Sequence, residues 1–122
     1  MFSTHIETMG DLAIIECEGR MVRSEAAFQL RDAVTLQGAA RLIVLDLSEV
    51  SAIEGGGLGM LVFLERWAHD RDIKLKLFNP SRMVRERLER ASSLRAFEMA
   101  TLDELMALLR YDSGPGPQTL AA

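Results

Sequence analysis

Apolar and polar positions alternate from Phe2 to Met9 and again from Asp11 to Glu18, where Ala13, Ile15 and Cys17 share a face. Both stretches predict strands. They join at Gly10-Asp11, too short a link for a parallel crossover, so they pair as a hairpin. Gly19 ends the second strand, and Ser24 predicts the N-cap of a helix to about Gln37, with Ala27, Leu30 and Val34 inward and Gly38 as its stop. Leu42, Ile43, Val44, Leu45 and Leu47 then form an apolar run that suits a strand covered on both faces. Asp46 and Ser48 begin a polar exit from it, Val50 and Ile53 still point inward, and Glu54-Gly55-Gly56-Gly57 forms a turn nearly without side chains. In the helix that follows, Leu58, Leu61, Val62 and Ala68 fall on one face and Met60, Phe63 and Trp67 on another.

The second half repeats the alternation of strand and helix. Ile73 to Phe78 reads as a strand in which Lys74 and Lys76 alternate with apolar residues. Asn79-Pro80-Ser81 breaks it and opens a helix to about Arg90 with Val84, Leu88 and Ala91 inward. Leu94 to Met99 predicts an edge strand. Thr101 and Glu104 form a capping box for a last helix carrying Leu102, Leu105, Met106 and Leu109. A hairpin followed by this alternation implies an α/β fold, a mixed sheet with its later strands parallel and about four helices around it. One domain over residues 1–110 and a flexible tail over 111–122, rich in Gly and Pro, account for the whole chain.

Composition narrows the function classes. The 122 residues suffice for one domain with its own core, and 48% apolar with 26% charged residues is the balance of a globular protein. No apolar run reaches the roughly 20 residues of a membrane span, and the start lacks the basic and apolar segments of a secretory signal. A cytoplasmic protein without direct membrane insertion is expected. Cys17, the single cysteine, fits a reducing compartment and a packing role. A net charge of −4 disfavours nucleic acid as a partner.

Most candidate chemistry reads as structural. His5 and His69 have no second ligand at metal spacing, so no metal is expected. No serine stands in a nucleophile elbow, and no catalytic residue is assigned. Arg82, Arg85, Arg87, Arg90 and Arg95 are interleaved with Glu86 and Glu89, and Arg85 with Glu89 has the i,i+4 spacing of a solvated helix face. The glycine turn is the exception, because backbone N–H groups at a helix N-terminus can receive an anion. Leu58 and Gly59 stand where a P-loop needs Lys and Ser/Thr, so nucleotide binding through Gly55–Gly59 is only an alternative and no cofactor is expected. Met60, Phe63 and Trp67 read either as core against another helix or as an apolar patch beside the turn.

The segment Asp46-Leu47-Ser48-x-Val50-x-x-Ile53, followed by the glycine turn and an apolar helix, resembles the STAS family, the small α/β domains of bacterial anti-sigma factor antagonists. The resemblance extends to Leu109, through Phe78-Asn79-Pro80-Ser81 and the Val84/Leu88 spacing. It implies a non-enzymatic, protein-binding regulator of transcription that works by partner switching with an anti-sigma factor or related kinase-type protein. The alternative within the family is an accessory subunit of a membrane transporter. Family members usually carry Asp-Ser-Ser/Thr-Gly-Leu-Gly at the turn, with the first hydroxyl residue phosphorylated. Aligned on Gly57-Leu58-Gly59, the aspartate is Glu54, the phosphoacceptor position is Gly55, and the next hydroxyl position is Gly56. Ser51 lies three residues before Glu54 and is a poor substitute. The resemblance therefore implies a partner surface of Glu54, Gly55, Gly56, Gly57 and Met60 without the usual phosphorylation switch.

Overall fold

A computed structural model describes residues 1–90 and 97–113, the side chains of 111–113 excepted. Five strands, β1 (Phe2–Met9), β2 (Leu12–Met21), β3 (Leu42–Ile53), β4 (Lys74–Phe78) and β5 (Glu98–Ala100), form one sheet in the order of the chain. The β1–β2 hairpin is antiparallel and every later pairing is parallel. The crossovers are α1 (Ser24–Thr35), α2 (Gly56–His69) and α3 (Arg82–Arg90), and α4 (Leu102–Ser113) closes the chain. The α/β fold with a mixed sheet and four helices is the one the pattern predicts.

Alternation along the strands sorts the core into two layers. Ala13, Ile15 and Cys17 of β2, Ile43, Leu45 and Leu47 of β3, and Leu75 and Leu77 of β4 point to one face. There they meet Leu30 and Val34 of α1, Leu61 and Leu64 of α2, and Val84 and Leu88 of α3. On the other face Leu12, Ile14 and Val44 pack under Leu105 of α4, with Leu108 and Leu109 partly buried beside them. Of Leu102, Leu105, Met106 and Leu109 on that helix, Leu102 and Met106 are exposed. The capping box forms as expected: the Glu104 amide donates to Thr101 Oγ1 and the Thr101 amide to Glu104 Oε1, each at 3.0 Å.

The strand that carries the site departs most from expectation. The polar exit at Asp46 and Ser48 does not end β3, which runs on to Ile53 through two bulges. Glu16 and Glu18 of β2 face Asp46 and Glu49, so Leu47 and Ser48 together oppose Cys17; Gly19 and Arg20 face Val50 and Ala52, so Ser51 is the second extra residue. Each bulge resets the two-residue alternation. That is why the buried positions run Ile43, Leu45, Leu47 and then Val50, Ile53 at three-residue intervals. Asp46 braces the first bulge, its Oδ1 accepting from the Ser48 amide at 3.0 Å and the Ser48 hydroxyl at 2.6 Å.

Smaller corrections have similar causes. Gly19 does not stop β2 but lies within it at φ +110, where a Cβ would overlap the Met1 carbonyl. Because β2 thus reaches Met21, the N-cap of α1 is the extended Arg23 rather than Ser24, without a side-chain cap, and α1 ends at Thr35. β5 begins at Glu98, and α4 extends three residues past the expected boundary at 110. Ala91, the first residues of the expected edge strand, and the tail over 114–122 lie outside the described residues.

Candidate functional site

The site is built where β3 overhangs the sheet. β4 ends opposite Asp46, and β3 continues beyond it alongside β2. At its tip the Glu54 amide donates to the Met21 carbonyl at 3.2 Å, which ties the start of the turn to the end of β2. The helix then begins earlier than expected: Gly56 and Gly57 belong to its first turn, with Gly55 as N-cap and no side-chain cap. Gly57 N donates to the Glu54 carbonyl at 2.8 Å and Gly59 N to the Gly55 carbonyl at 3.0 Å.

The glycines do different things. Gly55 sits at φ 43 and ψ −107, a combination that a Cβ disfavours strongly. Gly57 is buried, and a Cβ there would stand 2.6 Å from the Met21 carbonyl oxygen, so its lack of a side chain lets α2 close on β2. At Gly56 and Gly59 a Cβ would meet nothing within 4 Å. Of the residues predicted to meet a partner, Glu54, Gly55 and Gly56 are exposed together, Met60 is half-buried against the core, and Gly57 is inside.

The aromatic stripe divides. Met60 and Trp67 pack against the core on the helix that adjoins α1, and the Arg71 guanidinium lies over the Trp67 ring at 4.7 Å. Phe63 is 50% exposed, and Val62, grouped on one face with Leu58, Leu61 and Ala68, is 45% exposed. The helix therefore presents apolar surface on its outer side, next to a turn with almost no side chains.

Sequence reasoning missed Arg87. In the sequence it reads as part of a solvated arginine face, yet its Nη2 lies 3.2 Å from Glu54 Oε2, tying α3 to the turn. The solvated reading suits the rest of that helix, although the i,i+4 pair that forms is Arg82–Glu86 at 3.5 Å rather than Arg85–Glu89. The i,i+4 periodicity of α3 could have shown that Arg87 flanks the Val84/Leu88 face, but nothing in the sequence names the residue it meets.

The hydroxyls near the turn are engaged locally. Ser48 is held by Asp46, and Ser51 Oγ lies 3.4 Å from the Gly19 carbonyl oxygen. His5 lies near Glu7 and His69 near Asp70, all on the surface, and among the described residues no three His, Cys, Asp or Glu side chains converge as metal ligands. Burial and the nearby Asp46 carboxylate push the Cys17 thiol up to about 12, which keeps it a neutral packing group. No described helix is long and apolar enough to cross a membrane.

Fold and site together define a small α/β domain that presents a bare turn and an apolar helix at the overhanging end of its sheet. The STAS domain model matches residues 5–105, and the chain belongs to that family. Solved structures with the same fold include the anti-sigma factor antagonist SpoIIAA in its unphosphorylated form, at TM-score 0.72 and 20% identity over 88% of this chain and 96% of that one. An anti-sigma factor antagonist from Mycobacterium paratuberculosis is similar at TM-score 0.73 and 18% identity, covering 90% and 95% of the two chains. A putative anti-sigma factor antagonist from Thermotoga maritima gives TM-score 0.73 and 21% identity over 88% and 94%. Among curated proteins no sequence match is found.

Proposed function

We propose that this protein is a non-enzymatic regulatory module that binds a kinase-type anti-sigma factor through the turn Glu54–Gly57 and the outer side of α2. The observation that carries the reading is the exposure of Glu54, Gly55 and Gly56 beside half-exposed Val62 and Phe63, with Met60 at the rim. A partner can approach the backbone closely there, and apolar anchors stand within a helical turn or two. The fold shared with anti-sigma factor antagonists supports the choice of partner class. In this reading the module lacks the phosphorylation switch, since Gly55 has no hydroxyl. It therefore binds constitutively, as an unphosphorylated antagonist would, in the cytoplasm.

The test uses purified kinase-type anti-sigma factors of the same organism. Gly56→Arg fills open space and so tests the surface rather than the fold. It should weaken binding 10-fold or more, about 1.4 kcal/mol. Met60→Asp should do at least as much, with Phe63→Asp as the companion that disturbs the core less. If no such protein binds, or Gly56→Arg binds like wild type, the reading is wrong. A saturable rise in melting temperature with nucleotide would favour the nucleotide alternative instead.

A further inference from the structure

The edge of α3 beside the turn is basic and apolar, and the carboxylate of the turn that reaches it is Glu54. Met83, Arg87 and Arg90 follow one another at i, i+4 and i+7, so they form a stripe on the edge that Arg87 shares with Glu54. Glu89 lies on another side of the helix, and Glu86, which adjoins Met83 at i,i+3 and Arg90 at i,i+4 spacing, is paired with Arg82. Met83 is 58% exposed, and Arg90 has no ion-pair partner among the described residues. The Arg87 side chain is 35% exposed and makes one ion pair among the described residues, to Glu54 Oε2. A guanidinium carries five N–H donors in a planar fork, so most of its capacity is unused.

From this we propose that Arg87 is a specificity-determining residue of the docking surface and receives a carboxylate of the partner. The inference rests on the docking reading above. The pair with Glu54 holds the long Arg87 side chain at the turn, which lowers the entropy lost when a partner binds it. The positive end of α2 lies beside it and favours the same sign of ligand. With Glu86 set against its partner Arg82, the negative charge of Glu54 is outweighed there by Arg87, Arg90 and that helix end, so an acidic group is the complement. Apolar Met83, one turn before Arg87 and exposed, borders the charged spot, an arrangement that helps shield an arginine anchor from water.

Two roles for Arg87 must be separated, contact with the partner and mere support of the turn, and Glu54→Gln does so. The measurement is the affinity for the purified kinase-type anti-sigma factor that wild type binds, at several salt concentrations. Arg87→Ala is expected to weaken binding 10-fold or more and to flatten its salt dependence. Arg87→Glu should weaken it further, Arg87→Lys less, and Arg85→Ala not at all. Glu54→Gln keeps an amide oxygen that can accept from Arg87 and hold it in place but removes the competing charge, and should tighten binding two- to five-fold. If Glu54→Gln instead weakens binding as much as Arg87→Ala, Arg87 only positions the turn and the proposal is overturned. If Gly56→Arg weakens binding but Arg87→Ala does not, the proposal fails while the docking reading survives; if Gly56→Arg has no effect, the docking reading itself has failed.

Discussion

Glu54 Oε2 and Arg87 Nη2 stand 3.2 Å apart, joining the tip of β3 to α3 across the whole of α2 and β4. Both side chains keep solvent contact, 58% and 35% exposed, so the pair contributes little to stability. A double-mutant cycle with Glu54→Gln and Arg87→Ala in chemical denaturation should give a coupling of about 0.2–1 kcal/mol. A coupling above about 2 kcal/mol would mean that the pair supports the fold rather than the surface.

Gly57 and Gly59 should respond oppositely to alanine. At Gly57 the methyl group would press on the Met21 carbonyl at 2.6 Å, a backbone atom held in the sheet, and overpacking of this kind costs about 1–3 kcal/mol. At Gly59, inside α2 with open space around it, alanine should stabilise by about 0.4–1 kcal/mol. Thermal unfolding of the two variants checks both signs.

The turn should not be phosphorylated, and restoring the hydroxyl should have a conformational cost. Incubation with ATP and a kinase-type anti-sigma factor should leave the mass unchanged, because Gly55 and Gly56 offer no acceptor and Ser48 and Ser51 bond locally. A stoichiometric mass shift would overturn this. Gly55→Ser forces a side chain onto φ 43 and should cost about 1–3 kcal/mol unless the turn rearranges. For that reason, Glu54→Asp, Gly55→Ser and Gly56→Ser should be combined and their stability measured before affinity is compared with and without kinase treatment. Wild type should bind like the untreated triple variant, and treatment should weaken the variant alone by adding about −1.5 to −2 charge at the turn.

Cys17 gives the pH prediction. Its thiol is pushed up to about 12 in the fold, from an ordinary value of 9.0. Between these values the unfolded chain ionises its thiol while the native protein does not, so the unfolded state binds fewer protons and stability falls as pH rises. The Cys17 contribution is complete below about pH 9 and is lost upward at no more than about 1.4 kcal/mol per pH unit. Denaturation of wild type and Cys17→Ala at pH 8 and 10.5 should show the stability gap between them shrinking at the higher pH. The native thiol, 1% exposed, should also stay unreactive to thiol reagents at pH 8 until the protein unfolds.

The order of elements, the mixed sheet and most inward faces were legible in the chain because each is a local matter of periodicity and turn chemistry. Val84 and Leu88, the Thr101/Glu104 box and the strand from Leu42 needed no partner to be read. The glycine turn was legible too, as a place where side chains are missing. What tertiary structure decided is where one strand's neighbours change what its residues do. Asp46 and Ser48 look like the end of a strand, and only pairing with β2 turns them into a bulge that carries β3 on to Ile53. Gly56 and Gly57 look like loop, and only the closeness of Met21 makes one of them a packing position and leaves the other open. Arg87 looks like one arginine among five, and its role depends on a carboxylate that the chain brings to it from β3. Periodicity assigns a residue to a face, but which residue stands opposite is set by the packing of elements distant in sequence.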